Sequence, residues 1–363
     1  MKSSIGSKVR LSVFGESHGT AIGCLLEGLP SGVKIDMDAV LNQMARRAPG
    51  KDKTATARKE SDTPEIISGI VDGVTTGAPL AIIIKNSDIR SHNYDNLKDN
   101  PRPSHSDFAA AMKYCGNNDI RGGGHFSGRL TAGIVAAGAI CRQILKEEGI
   151  TVGGHISAIG NVTDTPFDPV NVNAGTLENL SSALFALNNP KNEEPMRNEI
   201  EQARCEGDSV GGSVELAAVG LPVGLGDPMF EGVENVVANI LYGVPAVKAV
   251  AFGAGFGYAS MKGSQANDQM YYTEEGEVRC YTNNCGGITG GITNGMPLLV
   301  SVAVKPTPSI SKEQKTVNLK TGENSTLQIE GRHDPCIVPR ALPVLEAALC
   351  IALLDLLAKG DRV

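Results

Sequence analysis

Residues 341–358 read ALPVLEAALCIALLDLLA, an apolar run long enough for about five turns of helix. Its two acids, Glu346 and Asp355, lie nine positions apart, about 180° around a helix that turns about 100° per residue, so most of the circumference between them is apolar. With those acids and Pro343 inside it, the run argues against a membrane span and for a helix buried between other layers. A second stretch of the same kind covers 130–148, where Ile134, Val135, Ala136, Ala137, Ala139, Ile140 and Cys141 precede Arg142. Two such helices imply a buried helical layer. Around them lie strand-like runs bounded by Gly or Pro, at 80–84 (LAIII), 213–219 (SVELAAV) and 298–304 (LLVSVAV), which makes the class α+β.

The stretch 73–80, GVTTGAPL, is echoed at 291–298 by GITNGMPL, each a turn entering an apolar strand that ends at Lys85 or Lys305. The echo implies a duplicated core. No low-complexity linker divides the halves, so residues 1–363 read as one domain, with 189–208 as a charged, exposed segment within it.

The chain has 363 residues with 33 Lys+Arg against 40 Asp+Glu, a net charge of −7, and it has no Trp. Such a chain lacks the basic surface and stacking aromatics of a general nucleic-acid binder. Its eight cysteines contain no CxxC pair and several sit in apolar runs, which fits buried reduced thiols rather than disulfides or a thiolate metal site. The first residues show no apolar secretory core, and a cytoplasmic protein is expected.

Arg46, Arg47, Lys51, Lys53, Arg58 and Lys59 stand against the single acid Asp52, a basic segment in an acidic chain. As a solvated loop it needs no further purpose. As a site it suits a multiply anionic small molecule, because Arg pairs bidentately with carboxylate and phosphate. Three of the six histidines occupy polar loops bounded by Gly or Pro: His18 in GESHG, His105 in RPSHSD and His125 in RGGGHFSGR. His92 and His155 lack such company and read as structural. RGGGHFSGR runs into the apolar helix, where free backbone amides can hold an anion, yet neither a GxGxxG nor a GxxxxGK[ST] pattern is present. GRHDPC at 331–336 and KPTPS at 305–309 add further polar turns. The histidines with His333 and Asp334 also admit a metal-dependent phosphohydrolase as an alternative.

GESHG, RRAPG, RPSHSD, the RGGG…GR loop, KPTPSI and GRHDPC, in this order, resemble the chorismate synthase family, over residues 5 to about 357. The resemblance implies the last step of the shikimate pathway, anti-1,4-elimination of phosphate from 5-enolpyruvylshikimate 3-phosphate to give chorismate. It implies a requirement for reduced FMN without net redox change, and NADPH as a further cofactor for flavin reduction. It also implies a β-α-β sandwich, two antiparallel sheets around long buried helices, assembled as a homotetramer. Carried over by motif, His18 protonates the departing phosphate, His105 protonates reduced flavin, and Asp334 helps take the proton from flavin N5. The implied flavin contacts are His125, Phe126, Ser127, Pro245, Ala246, Gly290, Lys305, Pro306, Thr307, Pro308, Ser309 and Arg332. Arg47, Arg102, Arg129, Arg332 and Arg340 are implied to hold the substrate's anionic groups, and Arg47 with Lys53 to contact NADPH. Relatives carry Arg-Ser-Ser or Arg-Ala-Ser where this chain has His125-Phe126-Ser127, and an arginine where it has Lys53. No reductase segment is apparent, so an external flavin reductase is the expected partner, with neither nucleic acid nor membrane.

Overall fold

A computed structural model describes residues 3–50, 62–87, 97–329 and 334–360. The first half runs β1 (Ser4–Ile5), β2 (Arg10–Gly15), β3 (Ala21–Glu27), α1 (Met37–Arg47), β4 (Pro64–Ser68), β5 (Ile70–Val71), β6 (Val74–Thr75), β7 (Leu80–Lys85), α2 (Asp107–Lys113) and α3 (Thr131–Glu147). The second runs β8 (Thr151–Ile159), β9 (Val162–Thr163), α4 (Ala174–Leu180), α5 (Glu193–Cys205), β10 (Gly212–Val219), α6 (Val233–Gly243), β11 (Val247–Phe252), α7 (Gly263–Ala266), β12 (Met270–Tyr272) and β13 (Val278–Cys280). It continues through β14 (Ile288–Thr289), β15 (Ile292–Thr293), β16 (Leu298–Val304), β17 (Gln314–Asn318), β18 (Glu323–Leu327) and α8 (Val338–Lys359).

The two large sheets each have five antiparallel strands, ordered β1-β2-β3-β7-β4 and β11-β16-β10-β8-β9. In β7, Leu80, Ile82 and Ile84 are buried while alternate residues are less so, the period-two pattern of a strand with one face on a core. Helices α3 and α8 pack on each other; α3 also touches β3 and β7 of the first sheet, and α8 touches β8 and β10 of the second. The mixed helix and sheet class read from the sequence is the one observed.

Helix α8 is apolar and long enough to cross a membrane, but 89% of its most apolar stretch is buried inside the fold. Its two acids are buried with it and are satisfied by different partners. Glu346 accepts from Arg46 on α1 at 2.5 Å and from Arg142 on α3 at 3.0 Å. Asp355 accepts the backbone amides of Ser7, Lys8 and Val9 at 2.7–3.1 Å. A buried carboxylate without such partners would be strongly unfavourable.

The charged stretch 189–208 forms a short 3-10 turn and α5, whose Met196 and Ile200 turn inward while most of its charged residues remain at the surface. His155 is fully buried between Asp164 and Glu215, 2.9 Å from each, and His92 lies outside the described residues.

The two echoed turns make matching hydrogen bonds. Thr75 Oγ1 donates to Pro30 O and accepts from Val33 N, while Thr293 Oγ1 donates to Pro222 O and accepts from Leu225 N. Thr76 N donates to Gly69 O just as Asn294 N donates to Gly287 O.

Candidate active site

Strand β2 ends at Gly15 and delivers the chain into Ser17 and His18, which are both buried. Ser17 Oγ lies 2.8 Å from His18 Nδ1, and Ser17 N donates to Gly124 O in the 3-10 turn Arg121–Phe126. That turn holds Gly122 and Gly123 at φ +59° and +87°, where L side chains are strained. A Cβ on Gly122 would collide with the His18 ring and lie 2.5 Å from Ser17 Oγ; one on Gly123 would lie 3.4 Å from His105 Cε1. Two successive glycines therefore each seat one imidazole, Gly122 that of His18 and Gly123 that of His105.

His105 Nδ1 donates to Asp107 Oδ1 at 2.5 Å, which fixes the tautomer and leaves Nε2 toward Gly123. Arg102 grips the same carboxylate through Nε and Nη2 at 2.7 and 2.8 Å, and its Nη1 donates to Ser309 Oγ at 3.2 Å. Burial pushes the Asp107 pKa up, but hydrogen bonds from Arg102 and His105 outweigh it and hold the carboxyl well below the usual range. Asp107 is thus a fixed negative charge behind His105. Arg102 is spent mainly on holding this assembly against the 305–309 loop.

The last turn of α1 splits the basic pair at its end. Arg46 points into the core toward Glu346, whereas Arg47 lines the cavity. Arg47 Nη1 donates to Asp62 at 2.6 Å, and Arg129 Nη1 pairs with the other Asp62 oxygen, so one buried carboxylate bridges two guanidinium groups. Arg47 is held further by Thr131 Oγ1 and Gly128 O, each 3.1 Å away, and Arg129 by Asn86 Oδ1 at 3.0 Å. Arg340 Nε donates to Arg47 O at 2.9 Å while its Nη1 pairs with Asp334 at 2.5 Å. Burial lowers the Arg47 pKa to about 10; Asp62 opposes that shift, and the charges of Arg340 and Arg129 add to it. Three arginines share one buried region, the condition that a polyanion relieves.

These groups line one cavity of about 1470 Å³. Of the residues implied by sequence, Arg47, Arg102, His105, His125, Phe126, Ser127, Arg129, Pro245, Ala246, Lys305, Thr307, Pro308, Ser309, Asp334 and Arg340 all face it. His18 adjoins it through Gly122, itself a wall residue. Pro306 packs beside Gly211, away from the lining. Gly290 is exposed at the tip of the β14–β15 hairpin and does not line the cavity within this chain. Lys53, Arg332 and His333 lie outside the described residues, as do Lys51, Arg58 and Lys59 of the basic segment. His125 spends both ring nitrogens inside the chain: Nδ1 donates to Gly15 O at 2.8 Å, and Nε2 accepts from Ser3 Oγ at 2.7 Å. Asp62 and Asp107, absent from the sequence reading of the site, are its two buried counter-charges.

Paired imidazoles beside clustered arginines and Asp334 define an acid–base enzyme for a small molecule bearing several negative charges. Comparison with known proteins gives the particular chemistry. The chorismate synthase family model matches residues 9–358. The chain is 46% identical over 350 residues to the chorismate synthase of Thermococcus kodakarensis, covering 96% of each chain. It is 45% identical over 363 residues to that of Dehalococcoides mccartyi strain BAV1, covering 100% of this chain and 98% of the relative. A crystal structure of chorismate synthase, 28% identical, superposes with a TM-score of 0.75 over 98% of this chain and 93% of the other. The chain belongs to the chorismate synthase family, a flavin-dependent family. Its activity is chorismate synthase activity: it is a lyase that removes phosphate from 5-enolpyruvylshikimate 3-phosphate in aromatic amino acid biosynthesis. The phosphohydrolase alternative finds no support, and among the described residues no three His, Cys, Asp or Glu gather as metal ligands.

Proposed function

We propose that the cavity holds reduced FMN and 5-enolpyruvylshikimate 3-phosphate together, and that the elimination proceeds with no net redox change. The carrying observation is the seating of His18 and His105 on adjacent glycines beside Arg47, Arg129 and Arg340. Pockets for one drug-sized ligand span about 300–1,000 Å³, so about 1470 Å³ leaves room for two. Leu130, Ile134, Val244 and Ile337 give it an apolar wall suited to a flavin ring, and Lys305 with the backbone of 307–309 suits a phosphate. When bound, the reduced flavin supplies electron density as the phosphate departs and takes up the ring hydrogen.

In this reading Arg47, Arg129 and Arg340 pair with the substrate's anionic groups, and Arg332 joins them. His18 gives a proton to the leaving phosphate. His105, oriented by Asp107 through Nδ1, presents Nε2 toward the flavin, where it can pass a proton to and from the reduced ring. Asp334, paired with Arg340, receives the proton that originates on the substrate ring. His125, Phe126, Ser127, Pro245, Ala246 and 305–309 form the flavin contacts, with Gly290 reaching a flavin only across subunits of the proposed homotetramer. Exposed Phe230 and Phe256, 85% and 89% accessible, support such association. NADPH near Arg47 and Lys53, an external flavin reductase and a cytoplasmic setting complete the proposal.

The packing of α3 and α8, each against a different sheet, supports the β-α-β sandwich. The matched Thr75 and Thr293 hydrogen bonds support duplication, and the contiguous core across both halves supports one domain. The functional test is an anaerobic assay following chorismate and phosphate with chemically reduced FMN. Turnover is expected there and not with flavin omitted; flavin-independent turnover refutes the proposal.

A further inference from the structure

Strands β17 and β18 form a two-stranded hairpin paired to neither large sheet. A lone hairpin is marginal in water and needs something to lie on. What it lies on is the segment that leads to His105. Leu327 and Ile329 meet Leu97 in a small buried cluster separate from the main core. Leu319 N donates to Asp99 O at 2.8 Å, and Thr316 Oγ1 donates to Pro101 O at 2.5 Å.

The Thr316 bond has a long reach because a peptide unit is planar. Pro101 O and Arg102 N belong to one unit, and Arg102 N donates to Asp107 Oδ2 at 3.1 Å. Thr316 thus fixes the plane whose amide grips the carboxylate that orients His105. Prolines at 101 and 103 lock φ on both sides of Arg102. Ser104 is held at φ +57°, a left-handed value uncommon for a residue with a Cβ, which persists only where its neighbours are fixed. His105 N closes the turn on Arg102 O at 3.2 Å. A tilt of the 101–102 plane therefore reaches the imidazole with few soft dihedrals to absorb it.

We propose that Thr316, which does not line the cavity, is a positioning residue: its hydroxyl, acting through Pro101, Arg102 and Asp107, holds the His105 imidazole in its working orientation. The role of His105 rests on the function proposed above; the chain of contacts from Thr316 does not.

The test is steady-state kinetics with reduced FMN under anaerobic conditions, in the wild type, Thr316→Val, Thr316→Ser, His105→Ala and the double variant of Thr316→Val with His105→Ala. Ser325→Ala, opposite Thr316 on β18, is the control. Valine keeps the branched shape that suits a strand and removes only the hydroxyl. In Thr316→Val, kcat should fall about 10-fold, with Tm, FMN binding and the substrate KM unchanged. Thr316→Ser, which restores the donor, should recover most of that loss, and Ser325→Ala should turn over as the wild type does. Thr316→Val should add no further loss to His105→Ala, because it acts through that residue. Wild-type kcat in Thr316→Val, a loss that serine does not recover, or a full further loss on top of His105→Ala each overturns the proposal. A fall in kcat matched by a lower Tm and weaker FMN binding marks a purely structural bond and overturns it as well. Wild-type turnover in His105→Ala overturns the reading of His105 itself, and this proposal with it.

Discussion

Replacing Gly122 by alanine places a methyl group where the structure has none to spare. The new Cβ would stand 2.5 Å from Ser17 Oγ and closer still to His18 Nδ1 and Cε1. Relieving that overlap to an ordinary contact of about 3.5 Å moves the imidazole by about 1 Å. A displacement of that size at a proton donor costs roughly 10²-fold in turnover, equivalent to about 2.7 kcal/mol of transition-state stabilisation. Gly123→Ala is the internal control. It carries the same kind of positive-φ strain, on the order of 1 kcal/mol, but its Cβ would meet His105 at 3.4 Å, close to an ordinary contact. Both variants share the strain, so Gly123→Ala reports its cost alone in thermal unfolding and Gly122→Ala should lose more by the cost of its overlap, while only Gly122→Ala loses most of its turnover in the anaerobic assay with reduced FMN. Wild-type turnover in Gly122→Ala, or an equal loss in both, refutes the claim that the first glycine positions His18.

Three further substitutions probe the buried charges. Asp107→Asn should lower turnover by ~10²-fold or more by loosening the Arg102 and His105 assembly; because the Asp107 pKa is depressed on folding, its stabilisation is full above the unfolded value of about 4 and disappears as pH falls through the lower folded value. The stability gap between wild type and variant should thus be constant near neutrality and close in acid, and a gap independent of pH down to the acid limit contradicts the assignment. Glu346→Gln strips the shared negative charge from Arg46 and Arg142 in the core, and should cost about 3–5 kcal/mol, seen in a chain of this length as a Tm drop of roughly 5 °C; an unchanged Tm counts against a structural role. Asp62→Asn keeps the left-handed backbone at φ +48°, which Asn tolerates, but removes the charge bridging Arg47 and Arg129. It should raise the substrate KM by about 10-fold with a smaller change in kcat, and an effect confined to kcat argues against positioning of the anion site.

The parts of the fold that the sequence discloses are those whose local pattern agrees with their tertiary role. The run at 298–304 is β16 residue for residue, and 130–148 contains α3, because uninterrupted apolar residues admit few alternatives. Helix α8 begins three residues before 341 because Pro339 is favoured in a first helical turn, where it needs no amide partner. Strand β18, with sequence ENSTL, carries no apolar alternation and is specified by its partner β17 rather than by itself. Charge is less legible than apolarity, since a net count discards direction. Arg46 and Arg47 are neighbours in one basic cluster, yet a helix turns them about 100° apart, and that angle sends one to Glu346 in the core and the other to the cavity. Asp62 and Asp107 each follow a basic motif closely enough for a tally to cancel them as background. In space they carry the opposite meaning: each acid holds the groups around it in place, so that the positive charge left over faces the cavity.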